Sequence, residues 1–317
     1  MGAEYFSSAV SQAKLSRSGR LPYYPQPKAL VHLDNGHQIA FDEYGDLTGY
    51  PLFYFHDSGS SRLEAAFFDN SAKQFGLRLI AMDRPGIGLS SFYGKSDAES
   101  FAKDTISIAD WLGIEQFGVI SLGKGGIFGL TLAHRYPHRV SQFVSLAGVP
   151  GTVLSESRAD SWLFNRVFEL TPLLINLLVR CKFMLFREEP RKIQTRLLKH
   201  LADVDRSCLR TPGLRDALAL DQQEALRQGC RGLALDLANC FRKLQFRLED
   251  VEVPTTIWQG RADSLSQRAD CEFMTSRMPS ANYHLVPNAG HFFFLKSMDD
   301  VFSRLQGHKQ SEQAMAA

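Results

Sequence analysis

The chain has 317 residues, a formal net charge of +2, 44% hydrophobic and 22% charged residues. That length and balance allow a sizeable core without disulfides or metals. A near-neutral charge, with no basic stripe interleaved with aromatics, excludes nucleic acid as the expected partner. Five cysteines (Cys181, Cys208, Cys230, Cys240 and Cys271) form no C-x-x-C pair and read as free thiols in a reducing compartment.

Residues 1–27 are polar, with prolines near their end, and read as an N-terminal arm. They hold no apolar stretch of signal-peptide length, and no run in the chain approaches the ~20 apolar residues of a membrane span. A cytoplasmic protein is expected. The stretches ALVHLDNG and HQIAFDEYG flank Asn35-Gly36, a hairpin turn signal.

Alternation begins after the hairpin. PLFYFH (51–56), LRLIAMD (77–83) and FGVISL (117–122) are continuous apolar runs, as strands of a parallel sheet buried on both faces would be. Residues 97–112 place Phe101, Ile108 and Leu112 on one helical face, with Asp97 as N-cap. A helix over 127–136 ends at Pro137, and VSQFVSLAG (140–148) is a fourth strand. Residues 152–250 carry helical periodicity and no strand pattern. TTIWQG (255–260) and YHLVP (283–287) then resume the alternation, each followed by a helix. The expected organisation is an α/β core over 28–151 and 251–307, a helical insertion over 152–250 and a tail over 308–317.

Three segments sit at strand ends in the order turn, acid, histidine. They are Ser121-Leu122-Gly123-Lys124-Gly125, Gly260-Arg261-Ala262-Asp263 and Asn288-Ala289-Gly290-His291. Two further motifs precede them: His56-Asp57-Ser58-Gly59-Ser60-Ser61-Arg62 and Asp83-Arg84-Pro85-Gly86-Ile87-Gly88-Leu89-Ser90. Asp110-Trp111-Leu112-Gly113-Ile114 and Pro137-His138-Arg139-Val140 flank the turn.

On these motifs the chain resembles the α/β-hydrolase fold superfamily over roughly residues 28–307. It is most similar to the branch with H-G-x-P-G-S-R followed by D-R-P-G-x-G-x-S. The resemblance implies a mostly parallel sheet with helices on both faces and a helical cap. It also implies a catalytic triad in the order nucleophile, acid, histidine, with Asp263 and His291 as the last two members. The pattern departs at the chemistry. Gly123 stands at the nucleophile position of G-x-S-x-G, and Asp57 and Ser60 replace two glycines of the first motif. By position, the backbone N–H groups of Lys124 and Asp57 would form the oxyanion hole. A carboxylate at Asp57 pointing inward would disfavour an oxyanion there. Glycine accepts the positive φ of such a turn without strain.

These residues leave His291–Asp263 two roles. It is a general base acting without an acyl-enzyme, as in cofactor-free lyases, isomerases and dioxygenases of this fold, or a remnant pair in an inactive binding or regulatory protein. A third reading keeps esterase chemistry, with activated water or a displaced serine (Ser121, Ser58, Ser60 or Ser61). Lys124 is expected to face solvent. Asp83 and Arg84 are expected to order their loop, and His56 to be structural. The remaining histidines are scattered, so no metal is expected, and no cofactor. Thr171-Pro172 reads as a helix start, and the apolar LLINLLVRCKFMLF after it as a cap helix lining the pocket or as a patch for a membrane or partner. The expected ligand is a small apolar or aromatic molecule between core and cap. Oligomeric state stays open.

Overall fold

The computed structural model describes residues 27–148, 173–174, 176–181, 201–211 and 213–316. The N-terminal arm up to residue 26 and the Thr171-Pro172 helix start lie outside the described residues.

Eight strands form one sheet in the order β1-β2-β4-β3-β5-β6-β7-β8. They are β1 (Ala29–His32), β2 (Gln38–Gly45), β3 (Tyr50–Phe55), β4 (Leu77–Met82), β5 (Phe117–Leu122), β6 (Val140–Leu146), β7 (Thr255–Gly260) and β8 (Ala281–Val286). The β1–β2 and β2–β4 pairs are antiparallel and the rest parallel. The hairpin turns at Gly36, whose φ of +82° suits glycine.

The period of two along β3 shows why its sequence is continuously apolar. Leu52 and Tyr54 enter one core cluster while Phe53 and Phe55 enter the other. Both faces are covered, so every side chain must be apolar. On one face Phe101 stacks edge-on against Phe55 and Phe128. Phe101 belongs to helix Ala98–Trp111, whose start is closed by a reciprocal Asp97–Ser100 capping box. On the other face Phe68 packs against Phe294 of the last helix. The segment after the HDSGSSR motif, a 3-10 helix over Arg62–Phe68 running into helix Asp69–Gln74, has no counterpart in the sequence reading.

Between β6 and β7 the described residues are helical: Asp203–Cys208, Leu214–Ala225 and Arg231–Asn239. Three carboxylates from this stretch reach the segments that follow β3 and β4. Asp221 accepts from the Ser61 N–H and Oγ at 2.9 and 2.6 Å. Glu224 pairs with Arg62 at 2.6 Å, and Arg62 also pairs with Asp83 at 2.7 Å and Asp42 at 2.9 Å. Asp236 takes a two-pronged contact from Arg84 at 2.6 and 2.9 Å. The helical residues 173–174 and 176–181 leave Leu173, Leu174, Leu177 and Leu178 exposed, and none of these four lines the cavity described below. Among the described residues, no helix is long and apolar enough to cross a membrane.

Candidate active site

The parallel register brings the ends of β3, β5, β7 and β8 together. β5 ends at Leu122, and Gly123 follows with φ +53° before helix Gly126–Arg135. This is the sharp strand-to-helix turn expected at the motif. The main chain is tight there: a Cβ on Gly125 would stand 2.5 Å from the His56 carbonyl oxygen.

After β3, Asp57 crosses to the turn. Its Oδ1 accepts from the Lys124 N–H at 2.7 Å and from the Ser58 N–H at 2.7 Å. A Cβ built on Gly123 would lie 2.3 Å from Asp57 Oδ1 and 2.4 Å from its Cγ. The carboxylate therefore occupies the space of a side chain at position 123. The Asp57 N–H is engaged too, donating to Glu64 Oε2 at 2.9 Å. Glu64 also accepts from Tyr54 Oη and Ser60 Oγ, each at 2.7 Å. Burial, with the charges of Asp221 and Asp57 nearby, raises the proton affinity of Glu64 well above the usual carboxylate range.

His291 follows β8, and its Nδ1 donates to Asp263 Oδ2 at 3.0 Å. Asp263, after β7, is held by the N–H groups of Leu265 and Ser266 on its Oδ1. Burial by itself lowers the proton affinity of the imidazole. The hydrogen bond and charge of Asp263, with the charges of Asp57 and Asp205, outweigh it and leave the pKa raised. Asp205 is a residue that sequence reasoning missed. From helix Asp203–Cys208 it accepts the N–H groups of His291 and Phe292, both at 2.9 Å. A Cβ on Gly290 would meet its Oδ2 at 2.2 Å, so the glycine before the histidine makes this clamp possible. No local motif marks Asp205; only the tertiary contact identifies it.

The four serines have other partners. Ser58 Oγ donates to Asp236 at 2.8 Å and Ser60 Oγ to Glu64 at 2.7 Å. Ser61 Oγ donates to Asp221 at 2.6 Å, and buried Ser121 Oγ lies 3.5 Å from the Val144 carbonyl. Lys124 is exposed. His56 is buried; its Nδ1 donates to the Asp57 carbonyl at 2.8 Å, and burial beside Arg84 pushes its proton affinity well down. Arg84 binds the His56 and Asp57 carbonyls and covers the Phe128 ring at 4.7 Å.

A cavity of about 120 Å³ opens at this point. Asp57, Glu64 and His291 line it from the core, Leu209, Arg215 and Leu218 from the insertion. The described residues contain no cluster of metal-ligating side chains.

The family model of the alpha/beta hydrolase fold matches residues 49–297. The chain belongs to the alpha/beta hydrolase fold family. A pimeloyl–acyl-carrier-protein methyl ester esterase of Aromatoleum aromaticum is 27% identical over 56% of this chain and 67% of its own length. A 2-hydroxymuconate semialdehyde hydrolase of Pseudomonas putida is 24% identical over 81% of this chain and 85% of its own. Among solved structures, a thermophilic esterase from Thermogutta terrifontis superposes with a TM-score of 0.67 at 18% identity, covering 89% of this chain and 98% of that one. In this alpha/beta hydrolase fold chain, then, acid and histidine are in contact, and a carboxylate stands beside the turn that precedes helix Gly126–Arg135.

Proposed function

We propose that this alpha/beta hydrolase fold protein binds a small, largely apolar molecule between core and insertion and acts on it without a serine acyl-enzyme, with His291 as general base. Asp57 carries the reading. Its carboxylate fills the volume above Gly123 and accepts the Lys124 N–H, while its own N–H is bound by Glu64. Those are the two N–H groups the family resemblance assigns to an oxyanion hole. A substrate carbonyl oxygen finds both engaged, and a second negative charge beside Asp57 is disfavoured.

Proton transfer remains available. Asp263 fixes the imidazole through Nδ1, so Nε2 is the atom that takes and returns a proton, and a raised proton affinity strengthens it as a base. Such a base contributes about 10²–10⁴-fold. The hydroxyls of Ser58, Ser60 and Ser61 donate to carboxylates, which argues against a displaced serine nucleophile. Leu122, Leu209, Leu218, Leu265 and Phe292 make much of the lining apolar, which supports a ligand of that character.

The test is incubation of the full chain with a fluorophosphonate probe, read by intact mass, together with p-nitrophenyl butyrate kinetics. No adduct and no burst of p-nitrophenolate are expected. A phosphonylated serine at position 58, 60, 61 or 121 overturns the proposal.

A further inference from the structure

We propose that the cavity takes a small primary amine, with its protonated nitrogen held by Asp57 Oδ2 and its hydrocarbon body held by the apolar walls. The inference names the ligand class of the site read above and rests on that reading. Its basis is the set of hydrogen-bonding atoms in the lining. Asp57 Oδ1 accepts two backbone N–H groups, from Lys124 and Ser58, both at 2.7 Å. Oδ2 accepts none from any described residue, and no cation of the described residues forms an ion pair with this carboxylate. His291 lines the same cavity with 6% of its surface exposed; its Nδ1 is bound to Asp263, and its Nε2 meets no described donor. Gln222 adds an amide oxygen that also lacks one. The nearest hydroxyls in the lining are turned to other acceptors, Ser58 Oγ to Asp236 and Ser60 Oγ to Glu64. Three acceptors in one cavity are thus left without donors.

A polar atom kept from water costs free energy unless it is paired, and a carboxylate costs more than a neutral acceptor. Acceptors without donors call for a ligand that brings N–H groups, and a carboxylate calls for one that brings positive charge as well. A protonated primary amine carries three N–H donors and no acceptor, as the head of a lysine side chain does. An alcohol brings one donor and no charge. Arg215 also lines the cavity, so an anionic ligand is the competing class, and it would have to share the space with Asp57. Glu64 does not compete for the ammonium: burial raises its proton affinity well above the usual carboxylate range, which leaves Asp57 as the negative charge of the lining. The two N–H groups on Oδ1 fix the carboxylate before a ligand arrives, so little ordering is left to be done on binding. The apolar part of the lining receives the hydrocarbon body. The cavity of about 120 Å³ sets its size, since an apolar cavity of about 150 Å³ accepts benzene. Asp57 is in these terms the residue that determines specificity, and His291 stands beside the bound molecule.

The experiment titrates the full chain at neutral pH with benzylamine, benzyl alcohol and benzoate by isothermal calorimetry. Benzylamine should bind about tenfold more tightly than benzyl alcohol, the difference between a charge-assisted and a neutral hydrogen bond, and benzoate should bind more weakly than either. In Asp57→Asn the preference for the amine over the alcohol should disappear. A second measurement needs no variant. Burial lowers the His291 pKa, while the hydrogen bond and charge of Asp263 and the charges of Asp57 and Asp205 raise it. An ammonium on Asp57 offsets one of those charges, so the His291 midpoint followed by NMR should fall further with saturating benzylamine than with benzyl alcohol. The proposal is wrong if benzylamine does not bind, if the alcohol or benzoate binds as tightly, or if benzylamine leaves the His291 midpoint unchanged. A fluorophosphonate adduct on a serine is a separate result that overturns the underlying reading; the titrations can fail while no serine is labelled.

Discussion

Placing serine at position 123 alone should damage the protein without restoring a serine hydrolase. The new Cβ would lie 2.3 Å from Asp57 Oδ1 and 2.4 Å from Cγ, so the carboxylate must leave. Its departure breaks a charge-assisted bond from the Lys124 N–H, worth about 1.5–3 kcal/mol. The φ of +53° adds roughly 1–2 kcal/mol for any residue with a Cβ. Gly123→Ser should therefore cost about 2.5–5 kcal/mol by urea denaturation. Combining it with Asp57→Gly removes the clash and leaves chiefly the backbone strain. The pair should show a favourable coupling of roughly 1.5–3 kcal/mol in a double-mutant cycle. With both changes the hydroxyl gains its space and the Lys124 N–H becomes available to an oxyanion. Fluorophosphonate labelling at position 123 should appear in the double variant and not in Gly123→Ser alone. If Gly123→Ser folds with unchanged stability, or labels as readily as the pair, Asp57 does not fill the turn and the reasoning fails.

Other consequences can be measured separately. Asp57→Asn removes one of the charges that raise the His291 pKa, so the imidazole midpoint followed by NMR should fall. Because the folded His291 pKa lies above its unfolded value of about 6.5, its contribution to stability is complete below that pH and is lost as pH rises through the folded value. Asp57→Asn should flatten that part of the pH–stability curve. Asp205→Ala strips acceptors from two backbone N–H groups and should cost roughly 2–4 kcal/mol in urea denaturation, with weakened His291 function. Arg62→Leu leaves Asp42, Asp83 and Glu224 buried without their shared cation and should cost about 3–5 kcal/mol, read as a lowered urea midpoint.

What the sequence disclosed follows from how local each cause was. The buried strands were legible because a sheet covered on both faces demands unbroken apolar runs such as Leu52–Phe55, and Asp97 announced its helix through a cap built within four residues. The contact of Asp263 with His291 was foreseeable from motif order. The direction of the Asp57 side chain was not, since it depends on how β3 and β5 pair and on Gly123 having no Cβ. Asp205 lies 86 residues from His291 in a helix with no signature, so nothing short of the folded chain connects them. The 3-10 segment Arg62–Phe68 also escaped notice: it buries Arg62 and Glu64, which a periodicity argument assigns to solvent.

Four carboxylates from the insertion grip the core: Asp205 at the His291 loop, Asp221 at Ser61, Glu224 at Arg62 and Asp236 at Arg84. A flap hinged like a clamshell would have to strip several of these charges of their partners at once. The described helices of the insertion are riveted to the core at these four points.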